Sequence, residues 1–316
     1  MGHALEKHLR KLERTRHAAE ALDALACSLP VLSGLTLREA LAIKPDAVVF
    51  RADWQDVPVV IKHFRSGDAA AIVTRMQGEL DYATAHLDGT RFGVNRCLLA
   101  LPEHGLILLT ELPGQRLRDS LAAADGAERA CLLRLAADWL AAYTAPRRET
   151  SGFGANHWIR RAEATDISHL STADQNLANA LIHAISVHAT AARGTRLARS
   201  IGHGDFVDIN MIHDGQSLFG VDIQGPSMMP LARMAARFLV WLQLQSDSPA
   251  LPREHGLCTA DVDAFLAGGL LDADNRARLF PVFVGDQLLR RFCEQYHDHK
   301  HRDRAIVALN GYLAEP

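Results

Sequence analysis

Residues 201–210 read IGHGDFVDIN and place one histidine, two aspartates and an asparagine among apolar residues. Downstream comes MIHDGQSLFGVDIQG, in which Met211–His213 and Leu218–Val221 suit two short strands joined by the turn Asp214-Gly215. Asp222 then ends the second strand. Asn210 and Asp222 are expected to meet across the open end of this hairpin as hard oxygen ligands suited to Mg²⁺. Asp205, on the loop before it, is placed to accept a proton from an incoming hydroxyl. A polar loop that merely starts a strand is the competing reading, and the rest of the chain decides between them.

Upstream, VVIKHF carries Lys62 inside an apolar strand, where a bare ammonium is expensive to bury unless it is paired or faces a ligand. Strand alternation could instead point it to water. The helix that follows, DAAAIVTRMQGELDYATAHL, carries Ile72, Met76, Leu80, Ala83 and Leu87 on one stripe. Glu79, three residues after Met76 and four before Ala83, leans toward that stripe, whereas Asp81 falls elsewhere. A strand lysine held by an inward glutamate can orient the phosphates of a nucleotide.

Around these residues the pattern divides the chain into two lobes. Ala4–Leu25 forms one amphipathic helix of mixed charge, suited to packing on the body of the protein or on a second copy rather than on a membrane. Next come a strand near Leu35–Ile43 and the hairpin AVVFRADW/VPVVIKHF, which turns at Gln55-Asp56. Strand-like runs follow at Cys97–Leu101 and Leu106–Leu109. TELPGQ (110–115) interrupts the apolar pattern, and nearly everything beyond it is helical: Leu117–Tyr143, Trp158–His169, Ala173–Ala192, Pro230–Leu244 and Cys258–Leu313. The boundary is set there, with a sheet-bearing lobe over 1–112 and a helical lobe over 113–316. Trp139, Trp158 and Trp241 fall on apolar helical stripes and read as core.

HGDFVDIN followed by GVDIQG resembles the HGDxxxxN and distal-aspartate pattern of the aminoglycoside phosphotransferase and choline kinase-like family, within the protein-kinase-like fold. With VVIK, the helix glutamate and the TELPG link, the resemblance spans roughly Leu35 to Leu244 in the right order. It implies an α+β, bilobal fold with a small antiparallel-sheet N-lobe and a larger, mainly helical C-lobe. It also implies Asp205 as catalytic base, Asn210 and Asp222 as Mg²⁺ ligands, Lys62 as phosphate anchor and Glu79 as its partner. The backbone around Glu111 and Leu112 would hydrogen-bond the adenine of ATP, with GTP the alternative nucleotide. His203 braces the loop in this reading, Asp208 faces solvent or positions substrate, and Gln224 either helps orient the metal site or gives structural support. The chain departs from the pattern in three places: AIKPDAVVF has no glycine over the nucleotide phosphates, Met234 stands where many relatives carry an aspartate, and DIQ replaces DFG.

Spacing and composition narrow the activity. Only Ile223–Met229 separate Asp222 from the next helix, too short for a peptide platform, so an atypical protein kinase is disfavoured. The stretch Pro113–Gly202 is longer than a protein kinase needs there, and the resemblance implies that the extra helical material walls a pocket for a small hydroxylated acceptor such as a sugar or an amino alcohol. The 316 residues carry a formal net charge of −3, with 34 basic and 37 acidic side chains, which gives no general pull toward nucleic acid. No run is long and apolar enough to span a membrane, the N-terminus has no signal-peptide pattern, and five scattered cysteines suggest no disulfide framework, so the expected location is cytoplasmic. The competing class is a catalytically inactive kinase-like scaffold, which the glycine-free turn favours and the retained Lys62, Asp205, Asn210 and Asp222 oppose.

Overall fold

The computed structural model describes residues 2–223, 225, 227–245 and 253–315; Gln224 lies outside the described residues. The chain forms two compact units, one of Met1–Gly114 together with Phe219–Gly225, the other of Gln115–Leu218 together with Pro226–Pro316.

The first unit is built on a five-stranded antiparallel sheet. Its strands are β1 (Thr36–Ile43), β2 (Ala47–Trp54), β3 (Val57–Phe64), β5 (Cys97–Leu101) and β6 (Leu106–Thr110), ordered β1-β2-β3-β6-β5, with the short β4 (Phe92–Val94) outside it. Alternation along β2 and β3 sends Val48, Phe50, Ala52, Val59 and Ile61 to one face. There they pack with Leu106 and Leu108 of β6 and with Ala18 and Leu22 of helix α1 (Gly2–Ser28). That contact covers the sheet with the second half of α1, while Leu9 and Leu12 in the first half are exposed. Gln55 and Asp56 both take positive φ, 52° and 62°, as a two-residue hairpin turn requires. The glycine-free turn between β1 and β2 closes instead through the Lys44 amide, which donates to the Ala47 carbonyl at 2.9 Å.

Helix α2 (Ala69–His86) turns Val73, Met76, Glu79, Leu80 and Ala83 inward. The described helices include none long and apolar enough to cross a membrane.

The second unit is mainly helical. After β7 (Gln115–Arg116) come α3 (Leu117–Ala123), α4 (Gly126–Thr144), β8 (Glu149–Gly152), α5 (Ala155–Glu163) and α6 (Thr172–Ala191). The apolar stripe expected to run unbroken from Leu117 to Tyr143 is interrupted at Asp125. Its side chain accepts from the Ala127 and Glu128 amides and so starts a new helix. Beyond β9 (Arg196–Ile201) lie β10 (Met211–His213) and β11 (Leu218–Gly220), and between these two the Asp214 carboxylate accepts from the Gln216 and Ser217 amides. Then follow β12 (Met228–Pro230), α7 (Leu231–Gln245), β13 (Arg253–Glu254), β14 (Leu257–Cys258), α8 (Thr259–Leu266), α9 (Phe280–Glu294) and α10 (His299–Leu313). Strands β8, β9 and β12 make a small antiparallel sheet, and β12 occupies the stretch where the sequence pattern starts a helix at Pro230.

Candidate active site

In the first unit, strand alternation that buries Val59 and Ile61 against α1 sends Lys62 to the opposite face, between Val49 of β2 and Ile107 of β6. Lys62 is 6% exposed, so its charge needs a partner. Its Nζ donates to Asp222 Oδ1 at 2.7 Å, across 160 residues of chain. Asp222 has φ of 62°, a left-handed conformation that a non-glycine residue adopts at some energetic cost and that recurs at functional positions. Glu79 is also buried in this unit, as the stripe of α2 requires, and Asp81 is exposed. At the end of β6, the Glu111 carboxylate pairs with Arg38 and, at 2.9 Å, with Arg51 Nε, while its amide donates to the Pro58 carbonyl at 3.3 Å.

The second unit holds the HGDFVDIN loop by its apolar residues. Phe206 and Val207 are each 1% exposed, and the Phe206 ring stacks on Trp139 of α4 at 5.8 Å and packs against Phe238 of α7 at 5.1 Å. His203 is fully buried, edge-on to Trp139 at 5.8 Å, so it braces the loop as the sequence reading expected. Gly204 takes φ of 87°, which lets the chain reverse between His203 and Asp205. Gly202 is required by a close approach: a Cβ there would lie 2.4 Å from Met234 Sδ. Met234 therefore packs under the loop, at the place where the family resemblance suggested an acid.

Within this loop the structure brings two of the predicted residues together. Asn210 Nδ2 donates to the Asp205 carbonyl at 2.9 Å, and the Asn210 amide donates to the Val207 carbonyl at 3.0 Å. This orients the Asn210 side chain with its nitrogen spent inside the loop.

Asp208 corrects the expectation that it faces solvent. It is 1% exposed, accepts from Trp241 Nε1 of α7 at 2.8 Å, and lies 3.4 and 3.5 Å from the Arg118 guanidinium of α3. Trp241 is likewise only half-buried rather than core, with Arg118 and Arg291 of α9 over its ring at 5.4 and 4.8 Å. Trp139 is core as expected, and Trp158 is partly buried, edge-on to Phe283.

One residue that sequence reasoning missed touches the predicted base. Arg237 of α7 donates from Nη2 to Asp205 Oδ1. A signal for it was present: LARMAARFLVWLQLQ is apolar around nearly its whole circumference and contains two charges, Arg233 and Arg237, one turn apart. A helix of that kind is buried, so its charges must be paired. Arg233 pairs with Asp286 at 3.1 Å, and Arg237 pairs with Asp205. Burial, followed by the charge of Arg237, lowers the Arg291 pKa from its ordinary value, while Glu294 and Asp205 oppose that shift. A polar cavity of about 590 Å³ lined by Thr150, Arg193, Thr195, Arg196, Asn275 and Arg278 shares none of these residues.

No protein-family model and no curated protein matches the chain by sequence. Among solved structures the chain is similar to aminoglycoside phosphotransferase APH(4)-Ia, at 11% identity and TM-score 0.63, over 94% of this chain and 98% of that one. It is also similar to a choline/ethanolamine kinase family protein from Mesorhizobium loti, at 15% identity and TM-score 0.58, over 94% and 95%. A third likeness is to a glucosamine kinase, at 16% identity and TM-score 0.53, over 92% and 97%. A thermostable mutant of the first was solved as a ternary complex with AMP-PNP and hygromycin B. At such identities the likeness is one of fold: the chain has the protein-kinase-like fold, with an antiparallel-sheet unit and a larger helical one.

Proposed function

We propose that the chain is a nucleotide-dependent small-molecule kinase that phosphorylates a hydroxyl of its acceptor. The observation that carries this reading is the Lys62–Asp222 pair, a buried strand lysine held at 2.7 Å by an aspartate in a left-handed conformation. The lysine is buried but the Asp222 side chain is 44% exposed, and a pair so open to solvent is a poor device for stability alone. A lysine and a carboxylate on one unit are the groups that a polyanionic phosphate chain and its cation need. The names of the fold's solved neighbours point the same way.

The roles follow from chemistry. Lys62, with Glu79 on the neighbouring helix, anchors nucleotide phosphates. The Glu111–Leu112 backbone receives the base of ATP, or of GTP. The donor set fits Mg²⁺: a carboxylate from Asp222 and the amide oxygen of Asn210, whose nitrogen is already committed to the Asp205 carbonyl. When bound, Mg²⁺ neutralises phosphate charge. Asp205 orients the acceptor hydroxyl and takes its proton as the oxygen bonds to the γ-phosphorus and the bond to the bridging oxygen of ADP breaks. The products are ADP and a phosphate monoester, with no covalent intermediate on the enzyme.

A thermal-shift titration with ATP and GTP, with and without Mg²⁺, tests this reading. Ligand at a hundred times its dissociation constant stabilises by about 2.7 kcal/mol. The expected result is a Mg²⁺-dependent shift that disappears in Asp222→Ala, with Asp205→Asn binding nucleotide but losing turnover. No shift with either nucleotide would favour the scaffold reading, which has one observation behind it: Asp205 is already engaged by Arg237.

A further inference from the structure

Three helices bring arginines to the neighbourhood of Asp205 and Asp208. Arg237 of α7 is bound to Asp205, and its side chain is 12% exposed. Its Nε is buried without a hydrogen-bond partner. Arg291 of α9, also 12% exposed, lies over the Trp241 ring and 3.4 Å from Glu294, which is shared with Arg290. Arg118 of α3 completes the group, stacked over Trp241 and 3.4 Å from Asp208. Three guanidiniums thus face two carboxylates, Asp205 and Asp208, and Glu294 is already neutralised by Arg290.

Resting on the kinase reading, we infer that the acceptor carries an anionic group, a carboxylate or a phosphate, beside the hydroxyl that is phosphorylated, and that Arg237 and Arg291 bind it. The guanidinium of Arg237 occupies Asp205 Oδ1 and makes the carboxylate a weaker base, so an acceptor group that draws Arg237 away strengthens the base, and a buried guanidinium drawn from its carboxylate needs another anion. An acidic acceptor supplies one, with the planar two-oxygen geometry that a guanidinium fork matches. A cationic acceptor such as an amino alcohol or aminosugar would meet unneutralised arginines and leave Arg237 on the base. Arg237 is therefore a specificity residue: the right acceptor removes it from Asp205 as it binds.

The probe is inorganic phosphate, titrated calorimetrically into the full-length protein and into Arg237→Gln, Arg291→Gln, Asp205→Asn and Lys62→Ala. Saturable binding by the unaltered protein is expected to weaken about tenfold or more in each arginine variant, as loss of a charge-assisted bidentate contact does. Binding should be several-fold tighter in Asp205→Asn, because the competing carboxylate has lost its charge. A merely structural Arg237–Asp205 pair would not produce tightening. No saturable binding, indifference to Arg237→Gln, weaker binding in Asp205→Asn, or loss confined to Lys62→Ala would each overturn the proposal. Should Arg237→Gln fail to fold, Asp205→Asn and Arg291→Gln still decide. Binding of Mg²⁺·AMP-PNP by the same samples reports the kinase reading separately: its absence alongside intact phosphate binding would remove the kinase and leave the anion site. With matched acceptors, transfer to gluconate ahead of glucose and glucosamine supports the inference, and the reverse order sinks it.

Discussion

Removing the indole donor from Trp241 and the carboxylate from Asp208 should reveal a single coupled clamp under the HGDFVDIN loop. The Trp241 Nε1 hydrogen bond to Asp208 is 2.8 Å long, and Asp208 is 1% exposed. A buried hydrogen bond to a charged group contributes about 1.5–3 kcal/mol. The Arg118 contact adds little, because its side chain is 32% exposed and 3.4 Å away, and such pairs give about 0–1 kcal/mol. Asp208→Ala should therefore cost about 2–4 kcal/mol, and Asp208→Asn, which keeps an acceptor oxygen, about 1 kcal/mol. Trp241→Phe should cost about 2 kcal/mol, and the double variant Asp208→Ala/Trp241→Phe hardly more than Asp208→Ala alone. The coupling, read from urea denaturation followed by circular dichroism, should be about 1.5–3 kcal/mol. Because Asp208 opens the short turn Asp208–Asn210, amide exchange over 203–210 should accelerate in the same variants. A coupling below about 0.5 kcal/mol, or unchanged exchange in the loop, would show that the clamp does not hold it.

Other expectations are simpler to test. Gly202→Ala should destabilise by about 1–3 kcal/mol as the new methyl meets Met234 Sδ, and Met234→Ala in the same chain should recover part of that loss in the denaturation midpoint. Asp286→Ala strands the buried Arg233 guanidinium and should cost about 3–5 kcal/mol, whereas a loss under 1 kcal/mol would mean water reaches Arg233. His63 has a pKa lowered from 6.5, chiefly by burial and then by the charges of Arg65 and His104. The unfolded chain therefore takes the proton first, so stability is full above pH 6.5 and is lost as pH falls through the lower, folded value. His63→Gln should flatten that part of the stability profile, and an unchanged profile would exclude His63 as its source.

Much of the sheet unit was legible because its signals are local. Two-residue alternation in AVVFRADW and VPVVIKHF, and a turn at Gln55-Asp56, define β2 and β3 without reference to the rest of the chain. The sheet of β8, β9 and β12 was not legible, since its strands hide their alternation. β8 is ETSG, and β9 buries Ser200, whose hydroxyl donates to the Thr144 carbonyl at 2.9 Å, a contact 56 residues away. β12 ends in Pro230, which reads as the first residue of a helix and is instead paired with Arg199.

The site divides along the same line, and the division explains what each kind of residue is for. Lys62, Glu79, Asp205, Asn210 and Asp222 could be singled out because their spacing is tied to the elements that carry them. Arg237 and Arg118 were missed, and Trp241 was read as core, because the contacts of each lie on another element. Asp208 was misread for a related reason: in sequence it is a loop aspartate, and loop aspartates commonly face water. What buries it is an indole one helix away, and what requires the indole is the pair of arginines, Arg118 and Arg291, over its ring. The legible residues are those to which the proposed phosphoryl transfer is assigned. The proposed anion site rests instead on the illegible ones, and a helix with Arg233 and Arg237 among apolar residues is where its charge is written.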